Sequence, residues 1–196
     1  MRVYALAAAI AAAISISGLA IYAAPSRASA VPAIPNTGEA IVPPPPAPTV
    51  SLDGDTPVRL SIPSIGLDDP IEPVGVDATG AMAVPSGSTN HIGWYEHGTL
   101  PGQTGSAVLD AHVFAALRNL KNVRHGADIY VTTTSGAVLH FIVEESKLTP
   151  LADVSGYYLF ERADAPRLNI ITCAGTFIPS LGTYSKRLIV YARLVP

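Results

Sequence analysis

The chain reads as an all-β domain, a barrel or a sandwich, and two observations predict it. From Val58 onward the apolar residues fall in short runs separated by Gly, Pro, Asp and Asn, at a spacing that suits many short strands. Helical character is sparse, and no internal repeat organises the chain. The expected strands, in order, are Val58–Ile62, Ile71–Val74, Ile92–Tyr95, Ser106–His112, Ile129–Thr133, Val138–Leu148, Arg167–Cys173 and Leu188–Leu194. Pro63, Pro85 and Pro101 fall in the gaps, where a missing N–H interrupts no ladder. A turn or two of helix is expected near Phe114–Leu120, and another around Val154–Phe160. Residues 58–196 are enough for one domain with a single core.

What precedes the domain is of another kind. Arg2 is followed by Val3 to Ala24, 22 residues without a charge. That exceeds the apolar core of a secretory signal and suits one membrane-spanning helix, so residues 1–30 read as a signal anchor. Ala28-Ser29-Ala30 is also a cleavage pattern, which makes a removed signal the alternative. On either reading the domain lies outside the cytoplasm, with the amino terminus inside in the anchored case. Residues 31–57 read as a linker, with seven prolines from Pro32 to Pro48. Such a segment favours polyproline II at about 3.1 Å per residue, so twenty residues hold a domain roughly 60 Å from a membrane.

Net charge is −3, with both signs scattered through the domain, and no basic patch interleaved with aromatics supports nucleic-acid binding. A peptide or a cell-wall component is the expected partner.

The single cysteine, Cys173, closes the apolar run Leu168-Asn-Ile-Ile-Thr172. A lone thiol has no internal disulfide partner, so it is either a small core residue or a nucleophile. Cysteine catalysis needs a thiolate, a group that protonates the leaving amine and a stabiliser of the oxyanion. His112, 61 residues upstream, and Arg187, 14 downstream, each sit at the end of a separate expected strand, and a barrel could gather the three at one rim. Ala174-Gly175-Thr176 reads as a small-residue loop that exposes the sulfur. Lys186 and Arg193 are alternatives to Arg187. Thr172 either contacts substrate or packs its methyl in the barrel. Asp110, two residues before His112, shares its face on a regular strand and could orient it. His91, His97, His125 and His140 read as surface or turn residues. No metal or other cofactor is expected: His91, His97 and His112 match no standard zinc spacing, and no loop clusters carboxylates for calcium.

Together these segments resemble the sortase family: Thr172-Cys173 after an apolar strand, His112 after Val108-Leu109-Asp110-Ala111, and Arg187 opening the last strand. Leu60-Ser-Ile-Pro63, Val74-Gly75-Val76-Asp77, Gly93-Trp94-Tyr95, Pro101-Gly102 and Val190-Tyr191-Ala192 also match. The pattern covers residues 58–196 and looks most like the class E and class F sortases of actinobacteria. The chain departs from it at Ala111, where glycine is frequent, at Asn169, where threonine is, and at Ala174. The resemblance implies an eight-stranded β-barrel cysteine transpeptidase held at the cell membrane. Such enzymes cleave Leu-Pro-x-Thr-Gly sorting signals of surface proteins between Thr and Gly through a thioacyl intermediate. They pass the acyl group to an amine on a peptidoglycan precursor or a pilin lysine. Carried over, Cys173 is the nucleophile, His112 as imidazolium the general acid, and Arg187 holds substrate or oxyanion. The linker segment Ile34-Pro35-Asn36-Thr37-Gly38 itself reads like a sorting signal with Ile for Leu. The alternatives are a thiol peptidase that mainly hydrolyses and a non-catalytic barrel that binds peptides or wall polymer.

Overall fold

The computed structural model describes residues 54–78, 80–161 and 164–196. The segment expected to anchor the chain, most of the spacer and Ile34–Gly38 lie outside the described residues. Among the described residues no helix is long and apolar enough to cross a membrane.

Eight strands are present: β1 (Pro57–Ile62), β2 (Leu67–Val74), β3 (Ile92–Tyr95), β4 (Gly105–Asp110), β5 (Asp128–Thr133), β6 (Val138–Pro150), β7 (Pro166–Ile178) and β8 (Thr183–Leu194). They close into one barrel in the order β1-β2-β3-β4-β7-β8-β6-β5. The β2–β3 and β4–β7 pairs are parallel and the others antiparallel. Closure leaves no free edge to template aggregation.

Alternation along each strand decides what fills the barrel. Leu60 and Ile62, Ile92 and Trp94, Ala107 and Leu109, Ile129 and Val131, Phe141 and Val143, Leu168 and Ile170, and Val190 and Ala192 form one buried cluster. Each fully buried large side chain among them contributes about 1.5–3 kcal/mol relative to exposure. The intervening residues point outward. On β7 these are Asn169, Ile171 and Cys173, which face Tyr191, Ile189 and Arg187 across the antiparallel pair with β8.

Part of this outer face is covered. A single π-helical turn, Tyr157–Glu161, packs on β4, where Ser106 and Val108 are buried despite their outward register. Asn169 fixes that turn. Its Nδ2 donates to the carbonyls of Leu159, at 2.8 Å, and Tyr158, at 3.2 Å.

The structure moves three expected boundaries. β4 ends at Asp110, which puts His112 just past the strand. β7 and β8 run on as a hairpin to Ile178 and back from Thr183, closed by a turn at Pro179–Leu181 and Gly182. Ala174-Gly175-Thr176 therefore belongs to a strand, and Cys173 lies mid-strand on the barrel wall. Phe114–Leu120 forms successive turns rather than a helix, followed by a short 3-10 turn at Leu120–Asn122.

Candidate active site

Strand register brings the expected site together. Parallel pairing sets Asp110 of β4 beside Ile171 of β7, and one pleat further along β7 is Cys173. Antiparallel pairing then sets Cys173 directly opposite Arg187 of β8. Directly opposed residues hold their Cβ atoms about 5 Å apart. His112 follows Asp110 by two residues. The result is a groove of about 560 Å³ on the outer wall, lined by Asp110, His112, Cys173 and Arg187. Leu159 and Phe160 of the π-helical turn form one side, and Phe177 and Tyr184 of the hairpin form another. Cys173 is a free, half-buried thiol.

The ring of His112 stacks on Phe114 at 4.8 Å between centroids, with the planes 13° apart. Among the described residues no side chain or carbonyl hydrogen-bonds that ring, so the stack is what orients it. Phe114 remains 61% exposed, which marks it as a surface aromatic held there by the histidine. Gly87 closes over the pair. A Cβ at this position would lie 3.2 Å from the Phe114 ring and 3.4 Å from Cδ2 of His112.

Arg187 is folded back on the hairpin. Its Nη1 donates to the carbonyls of Tyr184, at 3.1 Å, and Lys186, at 3.0 Å, and its Nη2 donates to Oγ1 of Thr183 at 2.9 Å. A guanidinium has five N–H groups, so the three bonds fix the head and leave donors for a ligand. Neither Lys186 nor Arg193 lines the groove, and Arg193 instead approaches Glu144 at 3.5 Å.

Asp110 shares the groove, and its pKa is displaced. Burial pushes the carboxyl up to about 7, against the pull of the Arg187 guanidinium and a hydrogen bond from the Ala111 N–H. Its electrostatic partner is thus Arg187, where the sequence suggested an orienting role toward His112. Thr172 is 1% exposed on the inward register, and its hydroxyl donates to the Ala111 carbonyl at 2.6 Å. It fixes the backbone just before His112 instead of presenting a free hydroxyl to the groove. Beyond Cys173 the β7–β8 register breaks between Ala174 and Phe177, with Gly175 at φ 81°. A Cβ there would fall 2.5 Å from Oγ of Ser185, so only glycine fits without a shift.

The remaining histidines are placed elsewhere. His91 pairs with Glu72, and His140 with Asp128 while stacking on Tyr130. Sequence reasoning missed the Phe114 stack, the pull of Arg187 on the Asp110 carboxyl and the anchoring by Asn169. The aromatic two residues after His112 and the buried Asn in an apolar run were the signals available.

Fold and groove together define the class: a closed, mixed β-barrel that presents a thiol, an imidazole and a guanidinium in one outer groove. The model of the Sortase domain matches residues 60–195, and the chain belongs to the sortase family of cysteine transpeptidases. Among solved structures it resembles sortase A from Corynebacterium diphtheriae at 22% identity and a TM-score of 0.54, covering 72% of this chain and 61% of that one. A sortase D5 transpeptidase from Clostridium perfringens gives 23% identity and 0.54, over 73% of this chain and 81% of that one. Sortase C2 of Pilus Island 1 from Group B Streptococcus gives 25% and 0.53, over 71% and 73%. Among curated proteins no sequence matches the chain.

Proposed function

We propose that the domain of residues 58–196 is a transpeptidase that cleaves Leu-Pro-x-Thr-Gly-like sorting signals between Thr and Gly and passes the acyl group to an amine. The observation that carries this reading is the convergence on one groove of His112, just past β4, with Cys173 of β7 and Arg187 of β8, strands that stand side by side in the barrel. In the first half-reaction the Cys173 sulfur, as thiolate, attacks the threonine carbonyl carbon. His112, as imidazolium, gives its proton to the glycine nitrogen as the C–N bond breaks, leaving a thioester. In the second, an amine attacks the thioester carbon, its surplus proton passes to His112, and the C–S bond breaks to return the thiolate. The free N–H groups of Arg187 hold the carbonyl oxygen as charge develops on it. Thr172 acts as a positioning residue by holding the Ala111 carbonyl.

The apolar rim of the groove suits a peptide substrate, with Phe160 and Phe177 on its walls. In this account residues 1–30 anchor the chain in the cell membrane, 31–57 space the domain from it on the outer side, and the acceptor amine belongs to a peptidoglycan precursor or a pilin. The class E/F assignment rests on the sequence pattern.

The test mixes the full-length protein with sorting-signal peptides and amines and follows products by mass spectrometry. Ligated product supports the proposal. Hydrolysis without ligation supports a thiol peptidase, and no turnover supports a binding barrel.

A further inference from the structure

Cys173 borders two hollows. One is the groove with His112 and Arg187. The other, about 180 Å³, shares Cys173 and Tyr184 with that groove and is bordered by the segment after His112 and by the β7–β8 hairpin. Val113, Leu117, Arg118, Lys121, Gly175 and Tyr184 line it with Cys173. His112 lines the larger hollow and Val113, the next residue, lines the smaller one.

The walls of the smaller hollow are mostly apolar, and the only charges among its lining residues are the cations Arg118 and Lys121. Residues 113–125 carry Arg118, Lys121 and Arg124 and no acidic residue, in a chain of net charge −3. Among the described residues no carboxylate meets Arg118 or Lys121, and Arg118 gives one N–H to the Ala115 carbonyl at 3.2 Å. Farther out, beyond Leu188 and Ala174, the surface becomes mixed, with Arg124, His125, Glu144 and Glu145 beside Lys121. Glu144 is itself held by Arg167, at 2.9 Å, and neither Glu144 nor Glu145 lines the hollow.

Two unpaired cations beside a thioester select among amines. They disfavour the protonated, non-nucleophilic ammonium and leave the free base, and they attract any carboxylate tethered to it. The incoming amine must pass its proton to the histidine that protonated the departing one, and Val113 of the smaller hollow is the residue next to His112. With the acyl chain in the larger groove beside Arg187, the smaller hollow offers a second approach to Cys173.

We propose that the hollow of Arg118 and Lys121 is the acceptor subsite, and that it selects an amine carrying a carboxylate. This rests on the transpeptidase reading above. The free amine nitrogen attacks the thioester carbon, the C–S bond breaks, thiolate returns to Cys173 and the nitrogen's proton goes to neutral His112. The carboxylate takes no part in bond changes and stays paired with the two cations.

The test uses full-length protein with Nα-acetyl-lysine and Nα-acetyl-lysinamide, acceptors that differ only in carboxylate against amide. Wild type is expected to show a KM for the carboxylate acceptor about tenfold below that of the amide, the size of one charge-assisted contact. R118Q/K121Q brings the ratio near one, and R118E/K121E reverses it. Equal KM values in wild type, or an unchanged ratio in both variants, overturns the proposal. Intact mass without acceptor is read in parallel: a thioacyl adduct in wild type with no acceptor preference refutes only the subsite, whereas no adduct removes the transpeptidase reading and the subsite with it.

Discussion

Substituting Asp110 with Asn is expected to make the protein more stable than wild type at pH 8 and closer to it at pH 5. The carboxyl lies in the groove wall, and its pKa rises from the ordinary 3.8 to about 7 because burial outweighs the attraction of Arg187. Below pH 4 both folded and unfolded chains keep the proton, and the group makes no difference to stability. Between pH 4 and 7 only the unfolded chain ionises, so stability falls with rising pH, and above 7 the loss is complete. A rise of that size corresponds to at most about 4 kcal/mol. About a third is already present at pH 5, so the advantage of the variant over wild type widens by about 2–3 kcal/mol from pH 5 to pH 8. Asn keeps an acceptor for the Ala111 N–H and cannot ionise. Urea unfolding of both proteins at the two pH values measures it, and taking the difference between them cancels the five histidines that titrate in the same window. A difference that stays constant from pH 5 to pH 8 would refute the reasoning.

Phe114→Ala removes the ring that orients His112; an aromatic pair is worth about 0.5–1.5 kcal/mol, so peptide cleavage slows about 2–10-fold while the melting temperature hardly moves, and Phe114→Tyr restores the rate. Asn169→Leu loses two hydrogen bonds to the π-helical turn but also removes a buried Oδ1 that has no partner among the described residues. Global stability therefore changes by less than about 1 kcal/mol, whereas proteolysis near Tyr157–Glu161 accelerates and peptide KM rises. Asp55 accepts from Oγ1 of Thr133 at 2.6 Å, Oγ1 of Thr134 at 2.7 Å, and N and Oγ of Ser135 at 2.8 and 2.6 Å. These bonds tie the start of β1 to the β5–β6 turn and hold the Asp55 carboxyl far below its ordinary 3.8. The stabilisation is present above pH 4 and lost as pH falls below it, so Asp55→Asn unfolds more easily at pH 7 and the gap to wild type narrows at pH 2 in a thermal scan.

The strands of the core were legible because their apolar residues alternate or cluster between Gly and Pro. Val58–Ile62 and Ile92–Tyr95 sit within a residue of where they were expected. The hairpin beyond Cys173 was not legible. Residues 174–186 carry large apolar side chains only at Phe177, Ile178, Leu181 and Tyr184 and show no alternation, since that stretch has no buried inner face to demand it. The run Leu168–Cys173 is apolar almost throughout, and this hid its two faces: the outward Asn169 is buried under the π-helical turn that it anchors. Phe114–Leu120 has helix-forming residues, yet it wraps as turns to cap the barrel with Leu117 and Leu120, both buried. Cys173, His112 and Arg187 could be named from residue type and order along the chain. Their placement on the outer wall, with Cys173 opposite Arg187 in register, and the approach of Asp110 to the field of Arg187 required the strand order of the barrel.

The central claim is that the Cys173 sulfur carries the acyl group cleaved from a sorting signal. Full-length protein incubated with a Leu-Pro-x-Thr-Gly peptide and no acceptor, then measured by intact mass and peptide mapping, tests it directly. The account predicts a mass increase equal to the peptide up to and including its threonine, localised to Cys173, released by an amine and absent from Cys173→Ala. Peptide cleavage that survives Cys173→Ala, or an adduct on any other residue, would contradict it.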